Sequence, residues 1–377
     1  MAMRGSKRFG WRTAIVLLAV CAGVRAVNQA PSERDGTDSA KIADKMKSVC
    51  VGRFLIDVPG AADVRIEGAR MSGFAIDAAE EREADFRKRV SGREAKILAR
   101  GADRDGGAES GMVEARDLSA PGLTGRSLIY GRSRGYMMNG DRRIEMESVS
   151  IEVHAHKGSV SISLSGSSKQ VSDLGNAEAL LARFQPRGAE EVPTEPGFCL
   201  SRGIFAEPLP EHGIEHVTLH IGIPGHPDVG LAFDTMPAGR TDRSLLARVA
   251  DVDAAATPHE MLLVTKLRSG KQSIHGIDGE EVLERVRELN FTTGYSFMWE
   301  ARGVEGDNAQ PFLSLNMETG TNPRPGGEPV DSSLHEATVL ALWDRISSSI
   351  RPRSAAEPAD RARVQPIAAG VGGGAQP

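Results

Sequence analysis

The residues best suited to metal chemistry lie between His212 and His216, where the sequence H-G-I-E-H has the H-x-x-E-H spacing of one class of zinc peptidases. On a helix this spacing would bring both imidazoles to one metal ion. Here Pro208 and Pro210 precede the segment, Gly213 lies inside it, and an alternating apolar pattern begins directly after it. In an extended chain the two histidines would lie roughly 13 Å apart, too far to share one zinc ion. The pattern therefore predicts a loop that leads into a strand.

A second pair of histidines, His154 and His156, stands at the end of an alternating segment. Residues two apart on a strand share one face, so the two imidazoles would be neighbours. Two ligands alone do not make a metal site. We predict that both histidines are solvent-exposed strand residues.

Motifs for nucleophilic or phosphate chemistry give no assignable site. Ser165 to Ser168 follows a predicted strand but lacks the strand–serine–helix spacing of a hydrolase. Walker A and dinucleotide-binding glycine patterns do not occur. The sequence therefore predicts no catalytic residue, metal, cofactor or small-molecule substrate. Because a catalytic triad can be dispersed along a chain, an envelope hydrolase is kept as an alternative.

The first 26 residues have the pattern of an export signal. Arg4 to Arg12 are rich in basic residues, Ala14 to Val20 form a short apolar run, and Val24-Arg25-Ala26 is a cleavage site. Leu18 to Cys21 resembles a lipobox, although Val20 is large for the position before the cysteine. A lipoprotein acylated at Cys21 and an uncleaved apolar anchor are the alternatives, and membrane association is expected only with lipidation.

Composition limits the class of partner. The chain has 377 residues, 26% of them charged, with a net charge of −5. Removing a signal with five basic and no acidic residues changes the net charge to −10. An acidic chain without a basic stripe is a poor nucleic-acid binder, so that class is excluded.

Two cysteines remain after the signal, Cys50 and Cys199. In an oxidising compartment such a pair can form a disulfide. Two separate buried thiols are the alternative, and the sequence does not decide between them.

The order of strands and helices predicts two domains of similar build. We expect a flexible leader over 27–46, an N-terminal α+β domain over 47–187, a linker over 188–197, a C-terminal α+β domain over 198–353 and a disordered tail over 354–377. Each domain is predicted to be a mostly antiparallel sheet with packed helices. Each begins at a cysteine and ends in a helix followed by proline and arginine, an order that a divergent duplication would give; an unrelated pair of α+β domains is the alternative.

One segment has the composition of a binding surface. Arg132 to Gly140 contains Tyr136, Met137 and Met138 between glycines, and tyrosine and methionine are enriched at protein interfaces. Downstream, the apolar alternation changes phase between Met146 and Val149, which predicts a bulge or bend. We predict that Tyr136, Met137 and Met138 bind a partner; the alternative is that Tyr136 and Met137 pack inward on an edge strand.

Several short motifs together resemble the lipase-immunity (Tli) family of type VI secretion systems, over about Cys50 to Arg353. The resemblance is found first at the openings of the two halves, Cys50 to Pro59 and Gly197 to Gly203. Further matching motifs follow in the family's order: His226 to Val229, Ser296 to Glu300 and Leu342 to Ile346. Members of this family are periplasmic antitoxins without catalytic residues. The resemblance therefore implies an immunity protein that binds and blocks a phospholipase effector; an envelope hydrolase and a structural envelope lipoprotein are the alternatives.

Overall fold

A computed structural model describes residues 42, 45–102, 111–118, 122–209, 213–239 and 243–353. The predicted signal over 1–26, Cys21 and the tail over 354–377 lie outside the described residues, as does His212. Among the described helices, none is long and apolar enough to cross a membrane.

The N-terminal half alternates strands with two helices. Its elements are β1 (Met46–Val51), β2 (Phe54–Pro59), β3 (Asp63–Met71), β4 (Phe74–Glu80), α1 (Glu83–Ala102), β5 (Met112–Asp117), β6 (Thr124–Asn139), β7 (Arg142–Lys157), β8 (Val160–Lys169), α2 (Asp173–Leu181) and β9 (Phe184–Pro186). β1 and β2 form a hairpin, in which Gly52 has a φ of 55° and turns the chain between the two strands.

The C-terminal half has a similar order with an extra short helix. Its elements are β10 (Gly197–Cys199), β11 (Gly203–Ala206), β12 (Glu215–Ile223), β13 (His226–Met236), α3 (Leu245–Ala255), α4 (Pro258–Leu263), β14 (Val264–Ile274), β15 (Ile277–Arg287), β16 (Thr293–Ala301), β17 (Phe312–Glu318), α5 (Glu336–Ser347) and β18 (Arg351–Pro352). Ser244 caps α3, and Thr257 with Glu260 forms a capping box on α4.

Both halves share one antiparallel sheet. Its twelve strands run in the order β14-β15-β16-β17-β13-β12-β3-β4-β8-β7-β6-β5, and the halves meet where β12 pairs with β3, with Leu219 opposite Ile66. The prediction of mostly antiparallel sheet with packed helices is confirmed. The prediction of a separate sheet in each half is wrong, because the ladder of hydrogen bonds continues across the junction.

The core lies on one face of this sheet, here called the inner face. Alternate residues of β12, such as Val217 and Leu219, are fully buried there. Helix α5 packs on the same face through Trp343, whose ring meets Phe297 edge to face at 5.7 Å. Burying one such large apolar side chain contributes on the order of 2–3 kcal/mol. The inner face therefore holds the halves together as one hydrophobic core.

Helices α1 and α3 cover parts of the opposite, outer face. The apolar residues of α1, Phe86, Val90 and Ile97, are buried against the N-terminal strands. Arg248 of α3 pairs with Glu300 of β16 at 2.7 Å. Between the two helices, the centre of the outer face is open.

Two small three-stranded sheets join the halves at their ends. β18 pairs with β2 of the N-terminal half, and β9 pairs with β11 of the C-terminal half. Cys50 and Cys199, both fully buried, form a disulfide here, with Cα atoms 5.8 Å apart. Arg187 donates to the carbonyls of Cys50 and Leu200, and burial lowers its pKa to about 10.

An ion pair also crosses the junction. Arg53 donates to both carboxylate oxygens of Glu215 at 2.7 Å, and to Glu207 at 2.5 Å. Glu215 is 6% exposed, and its burial raises its pKa above the ordinary value even with Arg53 beside it. Glu215, the acidic residue of the H-x-x-E-H segment, thus pairs with Arg53 across the junction and helps to hold the two halves together.

Replacing Arg53 with methionine should lower the free energy of unfolding by about 3 kcal/mol at pH 7.5, because the Glu215 carboxylate stays buried without its partner. In this variant the pKa of Glu215 rises further. A carboxyl group whose pKa is higher in the folded than in the unfolded state stabilises the fold at low pH. This stabilisation is lost as the pH rises through the folded-state pKa. The loss should therefore shrink at pH 5 in urea denaturation experiments. An equal loss at both pH values would contradict this account.

Candidate partner-binding surface

The longest hairpin of the molecule extends beyond its neighbours. β6 and β7 each span 16 residues, but β5 accompanies β6 only from Arg126 to Tyr130, and β8 pairs with β7 only from Val149 onward. Residues 132–147 therefore form a two-stranded ribbon attached to the sheet at one end. We call this ribbon the arm.

Large side chains on the arm are open to solvent. Tyr136 is 59% exposed, Met137 51%, Met138 54% and Met146 53%. Exposed large apolar residues that lie together on one segment are typical of interaction sites. The alternative in which Tyr136 and Met137 pack inward is wrong. That these residues bind a partner remains a prediction.

The two faces of the arm differ in chemistry. Gly135 pairs with Met146 and Met137 with Ile144, so these residues share one face; Arg142, paired with Asn139, stands on the same face at the end of the arm. On the other face, the Arg143 guanidinium lies 4.1 Å from the centre of the Tyr136 ring. Tyr136 and Met138 lie on the face that carries the ion pairs, and Met137 lies on the more apolar face. A partner that contacts all three must therefore reach both faces of the arm.

Ion pairs on the second face fix the shape of the arm. Glu147 accepts from Arg132 at 2.7 Å and from Arg134 at 3.1 Å. Glu145 pairs with Arg143 at 2.7 Å. Because these pairs are partly exposed, each contributes at most about 1 kcal/mol, yet they restrict the ribbon before any partner arrives.

The bulge or bend predicted between Met146 and Val149 is not in β7; the irregularities lie on the neighbouring strands. The register shifts between Tyr130 and Ser133 on β6, and again where β8 meets Val149 and Ile151 of β7. β7 itself keeps its alternation, so Val149 points into the core while Met146 lies on the opposite face. The change of phase in the sequence marks the point where β7 leaves the core and its apolar residues become exposed.

The prediction that His154 and His156 are solvent-exposed is wrong. They are 7% and 6% exposed, because α1 lies over this part of the outer face and the Phe86 ring is 5.4 Å from that of His156. His156 Nε2 hydrogen-bonds with the Glu81 carbonyl at 2.8 Å. Among the described residues, no group of three or more His, Cys, Asp or Glu could hold a metal ion.

His154 takes part in a chain of hydrogen bonds that has the order of a catalytic triad. Its Nδ1 lies 2.8 Å from Ser163 Oγ, and its Nε2 lies 3.2 Å from Glu152. Burial raises the pKa of Glu152, but hydrogen bonds from Arg93, His154 and Tyr130 outweigh it and hold that pKa well below the ordinary value. Ser163 lies in mid-strand on β8, directly across from His154, and not at a turn into a helix. This series of hydrogen bonds gives these buried polar groups their partners beneath α1.

Sequence inspection also missed a G-x-S-x-G pattern, Gly131 to Gly135, centred on Ser133. In a hydrolase this pattern forms a sharp turn between a strand and a helix. Here all five residues lie within strand β6, where Ser133 pairs with Ser148. The pattern therefore has no nucleophile elbow.

The open centre of the outer face forms a second concave surface next to the junction of the halves. This cavity of about 960 Å³ is lined by Arg65 and Glu67 of β3, His220 of β12, Ala232 of β13 and Met298 of β16. Small residues such as Ala232 on neighbouring strands make the surface concave, and Arg65 and Glu67 give it both signs of charge. Such a shallow, mixed surface is better suited to a protein segment than to a small ligand.

Comparisons with known proteins give consistent results. The family model of the Tle cognate immunity protein 4 N-terminal domain matches residues 47–192, and that of the C-terminal domain of the same protein matches residues 191–355. Comparison of the sequence with curated proteins gives no match.

Solved structures share the fold. The chain is similar to a chain in the crystal structure of the Tle4-Tli4 complex, with a TM-score of 0.66, 23% identity, and coverage of 82% of this chain and 97% of that one. It is also similar to the type VI secretion immunity protein TplEi of Pseudomonas aeruginosa. For TplEi complexed with "L" peptide the TM-score is 0.64 at 22% identity, covering 82% of this chain and 98% of that one. For the apo form of TplEi the TM-score is 0.65 at 23% identity, covering 82% of this chain and 97% of that one.

Proposed function

Because the chain belongs to the Tle cognate immunity protein 4 family, we propose that it is an immunity protein that binds a phospholipase effector of a type VI secretion system and inhibits it. The observation that carries this proposal is the match of both family domains, which together cover residues 47–355. One structural neighbour, 97% of whose chain is covered, comes from the crystal structure of the Tle4-Tli4 complex. The role requires a stable binding surface and no chemistry of its own.

We propose the arm as a principal contact with the effector. Tyr136, Met137 and Met138 supply side chains of the type that dominate binding energy or adapt to irregular partners. A lipase must expose an apolar cleft to reach lipid, and a ribbon with exposed apolar side chains can cover that cleft or hold its lid. The ion pairs of Glu147 fix the ribbon in advance, which lowers the entropy lost on binding.

We infer that the protein is not an enzyme. Ser163, His154 and Glu152 are hydrogen-bonded in series, but Glu152 is engaged by Arg93 and Tyr130, and His154 is buried under α1. Ser133 lies within strand β6, paired with Ser148 directly after a shift of register, and not at a turn into a helix. These features favour structural roles for both serines.

A periplasmic location is part of the proposal. The basic and apolar pattern over 1–26 supports export, and the disulfide between Cys50 and Cys199 is of a kind that persists in oxidising compartments. Membrane association is expected only if Cys21 is lipidated.

We also propose that the two halves arose by duplication. Each opens with a hairpin, β1–β2 or β10–β11, and each ends in a helix followed by a short strand. The strand order of the large sheet reads alike outward from the β3–β12 pair, apart from the extra helix α4. The final strands are exchanged between the halves, β9 to β11 and β18 to β2. A common ancestral half accounts for this symmetry.

Titration of the purified protein into its cognate effector tests the proposed function. Hydrolysis of phospholipid vesicles by the effector should fall in proportion to added protein and reach the background at a ratio of about one to one. Activity that is unchanged at a tenfold excess would sink the proposal.

The same assay tests the hydrolase alternative. The protein alone should not hydrolyse phospholipids or simple esters, and Ser163→Ala should inhibit the effector as well as the wild type does. Turnover by the isolated protein that disappears in Ser163→Ala would put the hydrolase reading first.

A further inference from the structure

A guanidinium lies directly against the disulfide that joins the two halves. Arg353 Nη1 lies 3.5 Å from Cys50 Sγ and 3.3 Å from Cys199 Sγ, and Arg353 Nη2 donates to the Gly197 carbonyl at 3.0 Å. The sulfur of a cysteine is a weak acceptor, and it carries no charge while the bond is closed. A charged donor is therefore held against two neutral atoms.

The position of Arg353 is unfavourable for a cation as long as both sulfurs are neutral. Burial lowers the pKa of Arg353, and the charge of Arg53 lowers it further. The two carboxylates that favour its charge, Glu195 and Glu207, are engaged by other donors. Glu207 accepts from Arg53 at 2.5 Å, and Glu195 accepts from the Thr194 hydroxyl at 3.3 Å. A thiolate at either sulfur would give the guanidinium a charged hydrogen-bond partner.

In the part of the chain that the structure describes, Arg353 is the one charged residue that hydrogen-bonds the sulfurs. Arg187 donates to the Cys50 carbonyl at 3.2 Å and to the Leu200 carbonyl at 2.6 Å, so its charge also faces this site. Other charged groups on the surrounding strands and turns are paired with one another or with a backbone amide: Arg53 with Glu207 and Glu215, Arg202 with Glu80, Arg351 with Asp57, Lys47 with Glu190, and Glu191 with the Gly188 amide. The two cysteines are thus contacted by two guanidiniums, one at the sulfurs and one at the backbone.

The segment that places Arg353 over the sulfurs is held by few hydrogen bonds. Strand β18 has only 2 residues, which pair with Leu55 and Phe54, and the Arg353 amide donates to the Arg53 carbonyl at 2.9 Å. Short ladders at the end of a domain open at a low cost in free energy. Such opening gives a small disulfide or thiol a path to sulfurs that are fully buried in the closed structure. Closing returns the guanidinium to them.

We propose that Cys50 and Cys199 are a redox-active pair and that Arg353 is a positioning residue, which stabilises the thiolate of Cys199 for attack on Cys50. The oxidant is a low-molecular-weight disulfide such as oxidised glutathione. The Cys50 thiol loses its proton and displaces one half of this disulfide as a thiol, which leaves a mixed disulfide on Cys50. The Cys199 thiolate then attacks Cys50 Sγ, the bond between the cysteines forms, and the second half leaves as a thiolate that takes a proton from water. Two protein thiols are thus oxidised, and one donor disulfide is reduced to two thiols. This chemistry is separate from the arm and does not depend on the proposed inhibition of a lipase.

Titration of the thiols in the reduced protein tests the role of Arg353. The ultraviolet absorbance of the thiolate is followed against pH, and circular dichroism checks that each reduced protein is folded. A cysteine beside an arginine titrates at about 3.5–7.5 and a free one at about 8.5, so the first midpoint should lie below about pH 7.5. Arg353→Met should raise this midpoint by about one pH unit or more. Arg353→Gln replaces this variant if the methionine protein does not fold when reduced. Arg353→Lys, which keeps the charge, should retain most of the wild-type shift. Arg351→Met, which removes a cation paired with Asp57 on the same strand, should leave the midpoint unchanged.

Closure of the bond by oxidised glutathione separates an effect on reactivity from an effect on stability. At pH 6 Arg353→Met should close at least threefold more slowly than the wild type, because its smaller thiolate fraction outweighs its higher intrinsic nucleophilicity. At pH 9.5 most thiols are ionised in both proteins, so this difference should vanish or reverse. A first midpoint that Arg353→Met leaves unchanged, or the same ratio of closure rates at both pH values, would overturn the proposal and leave Arg353 as a cover over the bond. Arg353→Met with its disulfide closed should still inhibit the effector, so this outcome is distinct from a failure of the proposed function.

Discussion

Replacing Tyr136, Met137 and Met138 together with serine is expected to weaken inhibition of the cognate effector by a factor of about 100 to 1,000. Truncating buried aromatic or large apolar anchors at an interface typically costs 1–2 kcal/mol or more each, and a total of about 3–4 kcal/mol corresponds to this factor. The effector would be titrated with wild type and variant in the vesicle assay. The apparent inhibition constants are compared.

A matched variant controls for the loss of exposed apolar surface. Val252, Met261 and Phe291 are 68%, 56% and 75% exposed but lie on the C-terminal half, away from the arm. Replacing these three with serine should leave inhibition within about threefold of the wild type. Both variants should keep a melting temperature close to that of the wild type, because none of the six side chains is buried. Equal inhibition by the arm variant and the wild type would remove the arm from the interface.

The arm shows how far sequence patterns reach. Alternation in β7 is visible from Ile144 to Val153, and so is its change of phase. A bulge within β7 and a transfer of the apolar residues to the other face give the same pattern. Only the positions where β5 and β8 stop decide between them, and those depend on pairing with strands elsewhere in the chain.

The shared sheet could not be predicted from the order of elements. The sequence indicates strands near Val64 and near Val217, and it indicates which side chains alternate. Whether each strand pairs within its own half or with the other is a long-range choice between similar edges. The Arg53–Glu215 ion pair favours the observed β3–β12 contact, but nothing local to either residue reveals its partner.

Burial of polar residues was the least predictable feature. His154 and His156 occupy strand positions that are often solvated, and the apolar face of α1 predicts only that this helix covers some surface. The structure shows that α1 covers these two histidines. Their burial in turn explains why Glu152, Arg93 and Ser163 form a hydrogen-bonded chain there, since buried polar groups need partners.

Replacing both Cys50 and Cys199 with alanine is expected to lower the free energy of unfolding by about 5 kcal/mol, which is the chain-entropy value for a loop closed over 149 residues. This is a large share of the 5–15 kcal/mol that stabilises an ordinary domain. The disulfide stabilises the protein mainly by removing conformations from the unfolded chain. Without it, the unfolded chain regains those conformations and unfolding becomes more favourable. Pairing of β3 with β12 and the hydrogen bonds between Gly52 and Cys199 keep the folded halves joined. The folded variant should therefore still inhibit the effector.

Urea denaturation separates this mechanism from damage to the core. Without the cross-link the unfolded chain is less compact and exposes more surface, so the m-value should rise while the midpoint falls. Wild type unfolded and refolded with a reducing agent should give the same curve as the double variant. If packing around Cys50 and Cys199 were the main effect, the m-value would stay constant and reduced wild type would be more stable than the variant. A loss below about 1 kcal/mol would mean that residual structure in the unfolded chain restrains it as strongly as the disulfide does.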